Sequence, residues 1–170
     1  WAACVNFMDA HLPYQPDEEY DLWGGKRLRR LQDGMDDQVW EFNGGQRPWW
    51  QRKALEGLYD GTVRQIDAQV QCIVEVLRER GVLDDTLVVI TSDHGEGFGE
   101  PSRIRPDARV AAHGAGIHEA LCHVPLVVHP IDAAGGKRIA EPASLTQFPT
   151  VVRKALRGDS VMDGFVPSRN

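Results

Sequence analysis

Cysteine is scarce in this chain: Cys4, Cys72 and Cys122 are the only three among 170 residues, and they stand at wide, irregular intervals. An odd number so spaced fits neither a disulfide framework nor a CxxC metal knuckle, and it favours a reducing, cytoplasmic setting. Long apolar runs are missing as well. None approaches the roughly 20 residues of a membrane span, and no charged-then-apolar leader opens the chain, so no membrane partner is expected. Trp1 stands where Met would start a chain, and the true amino terminus is expected upstream. An excess of positive charge is lacking too, with 19 Lys and Arg against 25 Asp and Glu and a net charge of -6. Phosphate backbones are gripped by clustered cations, so nucleic acid is not an expected partner. The short "KRLRR" at 26–30 reads as a solvated surface segment. What remains is an ordinary globular composition, 42% hydrophobic and 26% charged, enough for one core and one domain.

Hydrophobic patterning divides the chain. "AACVNFM" at 2–8 is small, β-branched and aromatic, and it stops at Asp9-Ala10-His11-Leu12-Pro13, which predicts a buried strand delivering a loop. From 13 to 48, Pro, Gly, Asp and Trp predominate with little periodicity, as in a long surface excursion of functional use. After Pro48, apolar residues recur every three or four positions: Leu55, Tyr59, Val63, Ile66, Val70, Ile73 and Leu77. Arg64, Asp67, Glu75, Arg78 and Glu79 take the opposite face, so the spacing predicts an amphipathic helix over 49–80 that stops at Gly81. The adjoining Trp49-Trp50 pair is expected to anchor that helix to the core. Asp84-Asp85 makes a turn. "TLVVITS" at 86–92 and "VPLVVH" at 124–129 are continuous apolar runs of the kind found in buried parallel strands. Gly135-Gly136 is a turn, "KRIAEPASL" an edge strand, and "TQFPTVVRKALRG" a short helix from Thr146 to Gly158. The order predicts an α/β fold, a mixed and mostly parallel sheet flanked by helices.

In such sheets ligands sit beyond the carboxyl ends of the strands, where loops converge. Two strands are followed by acids and imidazoles there: Asp9 and His11 after the first, Asp93 and His94 after "TLVVITS". "AAHGAGIHE" at 111–119 adds His113 and His118. An Asp oxygen and a His nitrogen side by side could hold a divalent cation, with Gly95 letting the backbone turn. A third ligand would have to come from elsewhere, and Asp9 and Glu96 are the local candidates. On chemistry alone, a helix-capping Asp beside a packed His competes evenly with the metal reading.

The wording around these residues is more specific. "NFMDAHLPY", then "LYDGTVRQIDAQVQCIVEVLRERGVLDDTLVVITSDHGEGFGE", then "HGAGIHEALCHVPLVV" resemble, in order and spacing, the carboxyl-terminal part of the catalytic domain of type I sulfatases, within the alkaline-phosphatase-like superfamily. "GGKRIAEPASLTQFPTVVRKALRG" resembles the strand and helix that follow in that family. The resemblance implies that Asp93 and His94 hold the active-site divalent cation, usually Ca2+ with Mn2+, Mg2+ or Zn2+ as alternatives. It implies that His11 binds the sulfate group and that His113 contacts sulfate or the leaving oxygen. A cation and protonated imidazoles would neutralise charge developing on an anionic ester, one imidazole protonating the departing alkoxide. The expected substrate is a small-molecule or saccharide sulfate ester. Glu96 and Glu100 would be outer groups orienting the ligands, while His118, His123 and His129 would pack or face solvent.

The departures are instructive. The family's Cys/Ser-x-Pro-x-Arg nucleophile motif, converted to formylglycine, begins at none of the cysteines or serines, and no Asp-Asp pair stands in the first metal-ligand context. Both belong to the family's amino-terminal half, so the chain reads as a partial domain with the nucleophile outside it, inactive alone and expected to pair with another copy through an exposed edge. "PSRIRPDARVAA" before His113 is longer and more basic than the family's linker, and His118 stands where the family often has Tyr. A phosphate or phosphonate ester hydrolase or phosphotransferase of the same superfamily is the enzymatic alternative. A non-catalytic binding or assembly module is the alternative of another class.

Overall fold

A computed structural model of the protein describes residues 1–23, 48–101, 109–113, 117–129, 138–159 and 161. The basic cluster at 26–30, most of the 13–48 excursion and of the "PSRIRPDARVAA" stretch, and the Gly135-Gly136 turn lie outside the described residues. No helix among the described residues is long and apolar enough to cross a membrane. The chain forms two compact units, one of Trp1–Cys72 and Asp93–Val124, the other of Ile73–Ser92 and Pro125–Asn170.

The first unit is organised by helix α1, Trp49–Glu79, which enters the second unit in its last turns. Pro48 precedes α1, and Gly81 at φ 66 follows it. The helix buries Leu55, Leu58 and Thr62, a face set slightly aside from the Leu55-Tyr59-Val63 stripe of the sequence; Val63 is 44% exposed. Trp50 is also exposed, so it does not anchor the helix. Packing on the buried face explains the offset. Gly57 and Gly61 lie one turn apart, and a methyl at either would come within 2.9 Å of Trp23 Cβ or Pro16 Cγ respectively. The 14–23 segment therefore lies directly on the helix backbone where side chains are absent. Tyr14, Leu55 and Leu58 form the core, lined by Leu12, Tyr59 and Phe98. Leu58→Ala should lower stability by about 2–5 kcal/mol in urea unfolding, whereas Leu156→Ala, at an exposed position, should change it by no more than about 0.5 kcal/mol.

Residues 2–8 are not a strand. Residues 1–6 are exposed and without regular structure, because no strand among the described residues pairs with them. Two short strands the sequence hides, β2 (Phe98–Pro101) and β3 (Arg109–Ala111), pair antiparallel instead. The helical turn α2, Glu119–Cys122, follows.

In the second unit, β1 (Val88–Thr91) pairs with β4 (Leu126–His129), Val88 opposite His129 and Thr91 opposite Leu126. The pairing is antiparallel, not the parallel one expected, and the strands are half-buried apart from exposed Thr91 and Val127. A continuous apolar run reports burial and carries no information on direction. "RIAEPAS" is irregular, not an edge strand. The last helix α3, Phe148–Arg157, follows a 3-10 turn capped by Ser144, with Pro149 in its first turn and Gly158 at φ 71 closing it. Lys154 and Arg157 in its last turn suit the negative end of the helix dipole. Its Val151 is fully buried among Leu87, Leu126, Val128 and Ala155.

Candidate active site

Two residues after β1, the chain turns at Asp93-His94-Gly95. Asp93 Oδ1 accepts the His94 backbone N–H at 3.0 Å, and the side chain is 88% exposed. His94 Nδ1 lies 2.9 Å from Gly95 O. A carbonyl oxygen only accepts, so Nδ1 carries the proton and the ring's lone pair is on Nε2. Nε2 stands 3.8 Å from Asp93 Oδ2. Gly95 donates its N–H to Leu121 O at 2.8 Å, and a Cβ there would run into the Ala120 carbonyl. Close approach to α2, not a left-handed backbone, therefore requires the glycine.

His11 reaches the same place from the 8–12 turn, in which its N–H bonds Met8 O. Its Nδ1 donates to Leu12 O at 2.8 Å. Asp9 is turned away onto α1, Oδ1 accepting from Gln65 at 2.8 Å and Gln69 at 3.4 Å. His113 comes from the end of β3, and its ring lies against both other imidazoles, 4.1 Å from His94 between centroids at 33° and 5.5 Å from His11 at 64°. The preceding residue, Ala112, has φ 64, a left-handed conformation unfavourable for a side-chain-bearing residue, and is held by its N–H to Gly97 O at 2.8 Å.

Beneath the imidazoles lies Glu96, whose side chain is only 4% exposed. A carboxylate so placed needs donors. Tyr14 Oη donates to Oε2 at 2.8 Å, and His113 Nδ1 donates to Oε1 at 3.1 Å. Burial, then the charge of Glu96 and the hydrogen bond to it, push the Tyr14 phenol far above its usual range, so it is a permanent donor. Burial and Glu96 raise neighbouring Tyr59 as well. Gly99, at φ 85, closes the loop where a Cβ would strike the Arg52 guanidinium.

Asp93 and His94 thus form an adjacent oxygen and nitrogen pair, the donor chemistry a divalent cation accepts and a separation one ion can bridge. Neither Asp9 nor Glu96 joins them, and among the described residues no group of three or more such ligands is arranged to hold a metal ion. Glu100 serves its own loop, accepting the Phe98 N–H at 2.8 Å. His118 precedes α2 without capping it through its side chain, His123 is exposed beyond it, and His129 lies in β4. Tyr14 was not legible as a member of the site. Its only signal is its place three residues after His11 in "HLPY".

Comparison with known proteins bears on this constellation. The sulfatase family model matches residues 7–156. Steryl-sulfatase of Mus musculus is 36% identical over 127 residues, 69% of this chain and 20% of that protein. Steryl-sulfatase of Rattus norvegicus is 32% identical over 130 residues, 69% of this chain and 22% of that protein. The chain thus spans about a fifth of the length of these relatives. No solved structure matches. The match takes in all three segments that meet at the imidazoles, together with both helices that follow Pro48 and Ser144, and the chain belongs to the sulfatase family.

Proposed function

We propose that the chain is part of a single sulfatase domain that hydrolyses a sulfate ester of a small molecule or saccharide, and that it supplies the anion-binding side of that site. The observation that carries the reading is the meeting of His11, His94 and His113 from three separate segments. Three imidazoles, each with Nδ1 beside an oxygen acceptor, keep Nε2 for other partners. As imidazolium, His11 would hold sulfate through Nε2–H, and His113, doubly protonated with its Nδ1–H on Glu96, would give its Nε2 proton to the leaving oxygen as the S–O bond breaks and return to the neutral Nδ1–H ring. Asp93 and His94 would hold a divalent cation, Ca2+ by family resemblance, although an imidazole donor also suits Mn2+ or Zn2+. When bound, such a cation draws negative charge from the sulfate oxygens. The nucleophile, a formylglycine, would come from sequence outside these 170 residues.

Imidazole donors serve a phosphate ester equally well, so the substrate class is decided by turnover. In the complete enzyme carrying this segment, 4-nitrophenyl sulfate should be cleaved faster than 4-nitrophenyl phosphate, and His113→Ala should slow sulfate cleavage by about 10²–10⁴-fold. Faster phosphate cleavage would make it an esterase of the related class, and no cleavage of either, with no cation uptake in calorimetry, would make it a binding module.

A further inference from the structure

We propose that Glu96 is a positioning residue for His113: anchored from below by Tyr14, its carboxylate holds the imidazole in the Nδ1–H tautomer and leaves Nε2 as the nitrogen that meets substrate. The inference rests on the reading of His113 as a substrate contact.

Its basis is a continuous line of contacts from core to site. Tyr14 is 1% exposed, packed on Leu55 and Leu58 and against the rings of Tyr59 at 5.4 Å and Phe98 at 6.0 Å. It therefore cannot follow a moving partner, and its hydroxyl fixes Glu96 Oε2 at 2.8 Å. The other oxygen, Oε1, takes His113 Nδ1 at 3.1 Å, and Nδ1 is also 3.3 Å from Oε2. With both oxygens so engaged, Glu96 is built to orient an imidazole, not to serve as a third cation ligand beside Asp93 and His94. The backbone gives the same indication independently. Ala112, at a left-handed φ of 64, has its N–H bonded to Gly97 O, so both the ring of His113 and the backbone that leads into it are tied to the 96–97 pair. A carboxylate on the far nitrogen of a functional imidazole sets tautomer and ring orientation, as it does for metal-bound histidines.

Long-range 1H–15N spectra of the labelled chain, with the ring neutral, test this directly. His113 should show the Nδ1–H tautomer in the native chain and shift to Nε2–H in Glu96→Ala. Glu96→Gln, whose amide oxygen still accepts, should restore Nδ1–H. In the complete enzyme Glu96→Ala should lower kcat by about 10–100-fold with KM nearly unchanged. An Nε2–H ring in the native chain, a measurement that needs no variant to fold, overturns the proposal, as does an unchanged ring in folded Glu96→Ala. Full activity of His113→Ala alongside the expected tautomers would instead overturn the substrate role of His113 and leave its linkage to Glu96 standing.

Discussion

Asp93→Ala is expected to leave the chain folded and to abolish divalent cation uptake. The side chain is 88% exposed and fills no core space, so truncation opens no cavity. It removes an acceptor for the His94 N–H, a loss of about 1 kcal/mol. For a cation the loss is far larger, because the anionic donor beside the His94 imidazole disappears. Calorimetry with CaCl2 and MnCl2 should show saturable heat for the native chain and none for the variant, and the complete enzyme should lose aryl sulfate turnover together with its metal content. His118→Ala is the control. That side chain precedes α2 without capping it, and its removal should leave uptake and turnover nearly intact. Equal damage from the two substitutions would sink the assignment of Asp93.

Gly95→Ala should be strongly destabilising. The added Cβ meets the Ala120 carbonyl, which belongs to the backbone of α2 and cannot swing aside as a side chain would. Either α2 shifts or the 93–96 turn opens, and either movement breaks the Gly95 N–H bond to Leu121 O. Overpacking and the lost bond together should cost about 2–4 kcal/mol. The turn that opens is the one holding Asp93 and His94, so cation uptake should weaken in parallel. Urea unfolding and calorimetry on the same preparation check both. A variant of native stability would show that α2 yields freely at this point.

Elements with their own punctuation were legible in the sequence. Helix α1 was expected over 49–80 and runs over 49–79, because Pro48, Gly81 and a recurring apolar spacing mark it locally. Helix α3 is similarly marked by Pro149 and Gly158. Strands were less so, since a strand needs a partner that its own residues do not name. Residues 2–8 have a strand's composition and no pairing, while "FGEP" has the composition of a loop and pairs with β3. In the site, the adjacency of Asp93 and His94 is covalent and therefore visible. The hydrogen bond that ties Tyr14 to Glu96 spans 82 residues, and nothing in the local chemistry of either residue announces it. His113 stands near His94 only through the β2–β3 pairing, which the sequence conceals.

Trp23 rests against the backbone of Gly57, and Pro48 leads straight into α1. At 1.5 Å of rise per residue, those two points lie roughly 13 Å apart along one helix. His11 and Tyr14 precede the helix in the chain, and Glu96 follows it. A side chain at Gly57 or Gly61 would push Trp23 or Pro16 off the helix, and with them the stretch that carries His11 and Tyr14, so two missing methyl groups on α1 help to hold a site whose imidazoles lie elsewhere in the chain.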